Sequence, residues 1–289
     1  RVLFRSYICD ETPDARLMTV RLGKTKNDML NHQKMPLPVK TVCEEMVAAA
    51  CILSHMLKFD GEMILQVKGS GPITMMVAEC SSEGSVRSTA QWSEVGDAHT
   101  FENLVGTGYL AVTIDPIQGE RYQGIVPLES GSISGCINHY FENSEQLDTT
   151  LWLASDQTTV GGLLIQRIPE EGGKPQRERS NWETLSILAE TITDQELASE
   201  AGPLLIYKLF HELNPRGLDP WNIEFGCSCS KERSSQALKA LGEKEVRQMF
   251  AEQPSLSVDC HFCGRVYQYD QADLEWLLSD QPPRSDTLQ

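Results

Sequence analysis

Two tight cysteine pairs constrain this chain more than any other feature. They are Cys227-Ser228-Cys229 and Cys260-His261-Phe262-Cys263-Gly264, with residues 230–259 between them. Four thiolates brought together from two such pairs match the tetrahedral shell of a structural zinc ion. Gly264 permits the tight turn of a knuckle whose amides point at sulfur. His261 lies inside that knuckle, where its side chain is expected to point away from the metal. Lys231, Arg233 and Arg265 flank the ligands; they serve either to favour thiolate over thiol or simply as surface charges.

The expected cofactor is therefore one zinc ion per chain in the reduced state, held by Cys227, Cys229, Cys260 and Cys263. A catalytic zinc keeps a position open for water, and four cysteines close the shell. A zinc module that reads nucleic acid needs a basic face. Residues 226–269 carry six Lys/Arg against five acids, in a chain of net charge −16, so no nucleic-acid partner is expected. Redox chemistry fits better, because the metal ligands are also the oxidisable groups. Each pair is close enough in sequence to form a local disulfide once zinc leaves. Structural zinc supplies about 10–16 kcal/mol of apparent folding free energy to small modules. The roughly 60 residues from Phe225 onward cannot build a large core unaided. Oxidation is thus expected to unfold them. No G-x-S-x-G, HExxH or P-loop occurs, and Gly69-Ser70-Gly71 and Gly106-Thr107-Gly108 lack the rest of a dinucleotide fingerprint. Neither an enzyme nor ATP use is expected. A thiol oxidoreductase working through Cys260 and Cys263 is the enzymatic alternative, but no strand–helix redox context precedes that pair.

The other five cysteines, Cys9, Cys43, Cys51, Cys80 and Cys136, are scattered in apolar surroundings and read as small buried residues. If Cys43 and Cys51 share a helix, about 12 Å of rise keeps them from pairing. The most apolar stretch, Met46 to Leu57, is interrupted by Ser54 and His55 and falls far short of the ~20 residues of a membrane span. Arg1 to Tyr7 carries no apolar signal core. A cytoplasmic protein without a membrane partner is expected.

Periodicity outlines a mixed α+β architecture. Val39, Val42, Cys43, Met46, Ala50, Leu53 and Leu57 recur at helical spacing, and Phe59-Asp60-Gly61 is expected to end that helix with a left-handed glycine. Met63, Leu65 and Val67 alternate as one face of a strand, followed by a turn at Gly69-Ser70-Gly71-Pro72 and a strand over Ile73 to Ala78. Further strands are expected at Tyr109–Ile114, Tyr122–Val126, Leu151–Ala154 and Leu163–Ile168. Ile133, Cys136, Ile137, Tyr140 and Phe141 mark another helix. Glu170 to Pro175 reads as a hinge. Beyond it, residues 178–225 hold nine acids and three Lys/Arg. Trp182, Leu185, Leu188, Ala189 and Ile192 stripe one short helix, Thr193 and Glu196 fit a capping box, and Leu204 to Glu212 follows the Gly202-Pro203 break. Helices this short need a docking surface. They are either an ordinary subdomain or a detachable linker. The last segment is expected to hold a helical stretch over Leu238 to Phe250, a strand at Val266-Tyr267 and a helix with Leu274, Leu277 and Leu278.

With these motifs in place, the chain resembles the bacterial heat-shock protein 33 family. Both cysteine pairs carry the likeness. So do Lys58-Phe59-Asp60-Gly61, Gly69-Ser70-Gly71-Pro72, Gly106-Thr107-Gly108-Tyr109, Gly119-Glu120-Arg121-Tyr122-Gln123-Gly124, Ser144-Glu145-Gln146-Leu147 and Gly161-Gly162-Leu163-Leu164. The likeness runs from about Pro38 to Trp276. It implies an α/β core that binds clients and dimerises (1–177), a helical redox-sensitive linker (178–225) and a C-terminal zinc switch domain (226–289). It implies an ATP-independent holdase, inactive when reduced and zinc-bound. Oxidants would pair Cys227 with Cys229 and Cys260 with Cys263, expel zinc, unfold the last two regions and promote a homodimer that holds unfolded client proteins. Some family members have a further cysteine where this chain has Ser234, and Cys43, Cys51, Cys80 and Cys136 look peculiar to this chain. The alternative is a constitutive protein-interaction module whose zinc is purely structural.

Overall fold

The computed structural model describes residues 3–9, 12–57, 59–144, 147–168 and 182–278. The expected hinge at 170–175 lies outside them, as do Lys58, Glu145 and Gln146 of the family-like motifs. In chain order the elements are β1 (Leu3–Cys9), β2 (Thr12–Leu22), α1 (Lys24–Leu30), α2 (Leu37–Met56), β3 (Gly61–Gly69), β4 (Ile73–Ser81), β5 (Ser85–Trp92), α3 (Phe101–Val105), β6 (Gly108–Pro116), β7 (Tyr122–Pro127), α4 (Ile133–Ser144), β8 (Thr149–Ser155) and β9 (Val160–Arg167). There follow α5 (Trp182–Glu190), α6 (Asp194–Ser199), α7 (Gly202–Phe210), β10 (Pro215–Gly217), β11 (Trp221–Asn222), β12 (Glu224–Phe225), α8 (Lys231–Leu241), α9 (Glu243–Glu252), β13 (Ser255–Asp259), β14 (Val266–Asp270) and α10 (Leu274–Leu278). The fold is mixed α+β, and it divides into two units, residues 1–226 and 227–289.

The first unit is built around α2. A proline in the first turn opens this helix, where the missing N–H costs nothing. Its apolar residues wrap almost the whole circumference, from Val39 to Leu53. A helix apolar all round must be enclosed. It is: α2 packs on β3, β4 and β5 of one sheet and on β2, β8 and β9 of the other. The first sheet runs β10-β1-β2-β9-β8 with β11 also on β1; the second runs β12-β5-β4-β3-β6-β7. In β3, Met63, Leu65 and Val67 turn inward as their alternation requires.

The first sheet has a second buried face. Tyr7, Cys9, Ala15, Leu17, Leu163 and Ile165 pack with Leu185, Ala189, Leu197, Leu205, Ile206 and Phe210 of α5, α6 and α7. Buried on both faces, β9 reads as an unbroken apolar run rather than an alternating one. Gly161 and Gly162 allow the close approach. A Cβ at Gly161 would collide with the Leu197 carbonyl oxygen of α6, and one at Gly162 would press on Ile52 and Val20. The capping box of α6 forms as expected: Thr193 Oγ1 accepts from Glu196 N, and Glu196 accepts from Thr193 N.

The chain then runs along the edges of both sheets before the second unit. Gly217 pairs with Tyr7 and Trp221 with Phe4 on β1, while Phe225 lies parallel to Val86 on β5. Between these pairings, Ile223 is buried in the main core. Three expectations are corrected. Helix α2 stops at Met56 with Leu57 extended, and Gly61 instead opens β3, its φ of +154° accommodating the backbone of Asp115. Gly202 and Pro203 open α7 rather than merely precede it. The stretch Leu238 to Phe250 is two helices, because Gly242 at φ +89° breaks the chain between α8 and α9.

Candidate metal centre

The second unit assembles around seven buried residues: Leu238, Val246, Phe250, Leu256, Tyr269, Leu274 and Leu277. Two local devices present its cysteines. Directly after Cys229, Ser230 caps α8 by accepting from Arg233 N at 3.2 Å, which fixes the exit of the C-x-C loop. The second pair sits at the tip of a hairpin whose register places Asp259 opposite Val266. Cys260 N donates to Arg265 O at 2.9 Å and Gly264 N to Cys260 O at 2.7 Å, closing the knuckle. Gly264 stands at φ +69°, the left-handed value expected of it.

The four Sγ atoms lie within 4.8 Å of one another, all half-buried. Cys227 and Cys260 approach to 3.6 Å, and Cys229 and Cys263 to 3.4 Å. Zn–S bonds of ~2.3 Å give a tetrahedron with edges of about 3.8 Å, so the donor set fits a closed four-thiolate site. His261 is exposed and stands outside the cluster.

Of the flanking cations, Lys231 is engaged elsewhere. Its Nζ donates to both carboxylate oxygens of Asp273 at 3.0 Å and lies 5.3 Å from the centre of the Tyr269 ring. Arg233 braces the C-x-C loop by donating to Ser228 O at 3.1 Å. Arg265 is exposed. Ser234 Oγ meets the hydroxyl of buried Tyr269, which itself donates to Lys231 O at 2.7 Å.

Tyr267 was not anticipated as part of the site. Its hydroxyl donates to Cys229 Sγ at 3.1 Å. The sequence carries no spacing signal for this contact, because the hairpin register decides which side chain of β14 reaches sulfur. Burial raises the Cys229 thiol, but donation from Tyr267 and the neighbouring thiols outweighs it and brings the group down to about 7. Burial, together with the Cys229, Cys260 and Cys227 sulfurs, pushes Cys263 up to about 12. Donation from Tyr267 thus singles out Cys229 as the sulfur most readily held as thiolate. A divalent ion bound among the four sulfurs would stabilise all of them as thiolates.

The five remaining cysteines are all buried in the first unit. Cys43 Sγ lies 2.8 Å from Ser88 Oγ, and burial pushes its thiol up to about 12. Buried thiols of this kind are weak nucleophiles.

The family model described as "Hsp33 protein" matches residues 6–270. The 33 kDa chaperonin of Ectopseudomonas mendocina is 38% identical over 277 residues, covering 94% of this chain and 94% of the relative. The 33 kDa chaperonin of Neisseria gonorrhoeae is 38% identical over 278 residues, covering 95% and 90%. Among solved structures, the 33 kDa chaperonin of Thermotoga maritima superposes with a TM-score of 0.79 at 24% identity, covering 95% of this chain and 97% of that one.

Proposed function

Because the chain belongs to the Hsp33 family of redox-regulated holdase chaperones, which are not enzymes, we propose that its switch is one zinc ion held by Cys227, Cys229, Cys260 and Cys263. The observation that carries this reading is the closed group of four half-buried sulfurs. When bound, the ion supplies folding free energy and holds the ligands as thiolates, with no position left for substrate. Oxidation removes two electrons from each of the pairs Cys227–Cys229 and Cys260–Cys263. Two equivalents of peroxide accept those electrons and, with protons, leave as water. Two disulfides result, and no thiolate remains to hold the ion.

The residues after Gly226 then lose their main source of stability. Residues 178–225 act as the linker. Their last strands, β10 to β12, are only two or three residues long and lie at sheet edges, so apart from Ile223 in the main core little retains them once the unit beyond has unfolded. Release of α5 to α7 would uncover Tyr7, Ala15, Leu17, Leu163 and Ile165, an apolar sheet face for unfolded clients. Residues 1–177 would form the client-binding and dimerising core. The net charge of −16 keeps the exposed form dispersed. No helix among the described residues is long and apolar enough to cross a membrane, in keeping with work in the cytoplasm.

The test follows zinc release and light scattering of a heated client together during peroxide treatment. Zinc release with a gain of protection is the expected result, and a variant with all four cysteines changed to serine should not respond to oxidant. Zinc loss without any gain of protection would leave only a constitutive interaction module with structural zinc.

A further inference from the structure

Beside the lower end of α2, a cavity of about 250 Å³ opens in the first unit. Its walls are apolar, supplied by Leu53 and Met56 of α2, Met63 of β3, Ile114 of β6, and Ile137 and Phe141 of α4. Two polar side chains reach it from the other sheet, Arg16 of β2 and Gln166 of β9, which face each other across the strand pair. Arg16 is half-buried, and among the described residues its guanidinium donates to two neutral acceptors, Met56 O and Gln166 Oε1, each at 3.4 Å. Among the described residues no carboxylate lies within ion-pair distance of it. Burial pulls its pKa below the ordinary arginine value. A partly desolvated cation without a counter-charge is costly, and guanidinium is shaped to take a carboxylate through two parallel bonds.

We propose that this cavity binds a small amphipathic carboxylate, a short fatty-acid-like molecule whose head pairs with Arg16 and whose chain lies against Leu53, Met63, Ile114 and Phe141. The volume lies below the ~300–1,000 Å³ of pockets for drug-sized ligands, which limits the guest to a short chain. Gln166 holds its place in the rim by donating to Thr149 Oγ1 at 3.2 Å while accepting from Arg16, so the cation is aimed before any ligand arrives. None of this depends on the redox switch, since every wall residue belongs to the first unit.

The probes are octanoate and the neutral octanol, titrated calorimetrically into the reduced, zinc-loaded full chain below their aggregation limits. Saturable one-to-one binding of octanoate is expected. Arg16→Gln should weaken it by at least about tenfold while leaving octanol unchanged. Arg16→Lys should retain part of the affinity, and Leu147→Trp, at the partly exposed wall, should block both probes. Circular dichroism and the thermal midpoint confirm that each variant is folded. Absence of saturable octanoate binding, or binding that survives both Arg16→Gln and Leu147→Trp, overturns the proposal. Equal loss of octanol and octanoate in Arg16→Gln would remove the carboxylate from it.

Discussion

Glu44 lies 2.9 Å from Lys26 in a part of the core where their side chains are 3% and 1% exposed. Ser155 Oγ also donates to Glu44, and Lys26 Nζ donates to Asp156 O at 2.8 Å, so both charges have several partners. Removing one member of such a pair strands the other, at a cost of about 3–5 kcal/mol, whereas replacing both with apolar residues is often neutral. Lys26→Met is therefore expected to lose about that much stability in urea unfolding. Lys26→Met combined with Glu44→Leu should recover most of it; no recovery would mean that the network, rather than the stranded charge, sets the loss.

At the scale of elements, the docking of α6 concentrates the most informative contacts. Thr159 Oγ1 donates to Ala198 O at 2.5 Å, and the α6 backbone rests directly on Gly161. Gly161→Ala should force α6 away from β9. Hydrogen exchange is expected to show lost protection at 194–199 in the reduced protein, with client protection appearing before any oxidant is added. The same docking is sensitive to pH. Glu45 on α2 is pushed up from 4.5 to about 7, first by burial and then by Asp194 of α6 and by Glu44. Between those two values the folded protein keeps a proton that the unfolded chain releases, so stability falls as pH rises through this window and levels off above it. Glu45→Gln should remove that slope and raise the thermal midpoint at pH 8. An unchanged pH profile would show that Glu45 ionises normally.

Across the whole molecule, stability is divided between separate apolar clusters. Among the described residues, the main core and the cluster under α5 to α7 belong to the first unit, and the second unit has its own seven-residue cluster. A core that small needs a further source of stability, which the proposed zinc ion would supply. Treatment with excess chelator should abolish exchange protection over 227–278 first and weaken it next over 182–225. The strands β3 to β6 and helix α2 should stay protected. Simultaneous loss across all three regions would show one cooperative structure in place of a switch mounted on a stable core.

What the sequence determined by itself was whatever neighbouring residues encode. The two cysteine pairs, the Gly264 knuckle, the inward alternation of Met63, Leu65 and Val67 and the Thr193–Glu196 capping box each lie within a few residues of chain, and the α2 stripe repeats along a single element. Their patterns survive without tertiary context. Tertiary structure decided the rest. Strands β1, β2, β5 and β13 are not among those the sequence leads one to expect, and β10 to β12 are too short to show any period; the edge strands exist only because distant strands supply hydrogen-bond partners. Gly61 looked like a helix cap, yet the backbone of Asp115 across the sheet required a glycine there. The contact of Tyr267 with Cys229 depends on the register of β13 against β14, and the Arg16 cavity on two sheets meeting around one helix. Contacts between residues far apart in the chain leave no local period to read, because they are set by packing and not by the backbone geometry of adjacent residues.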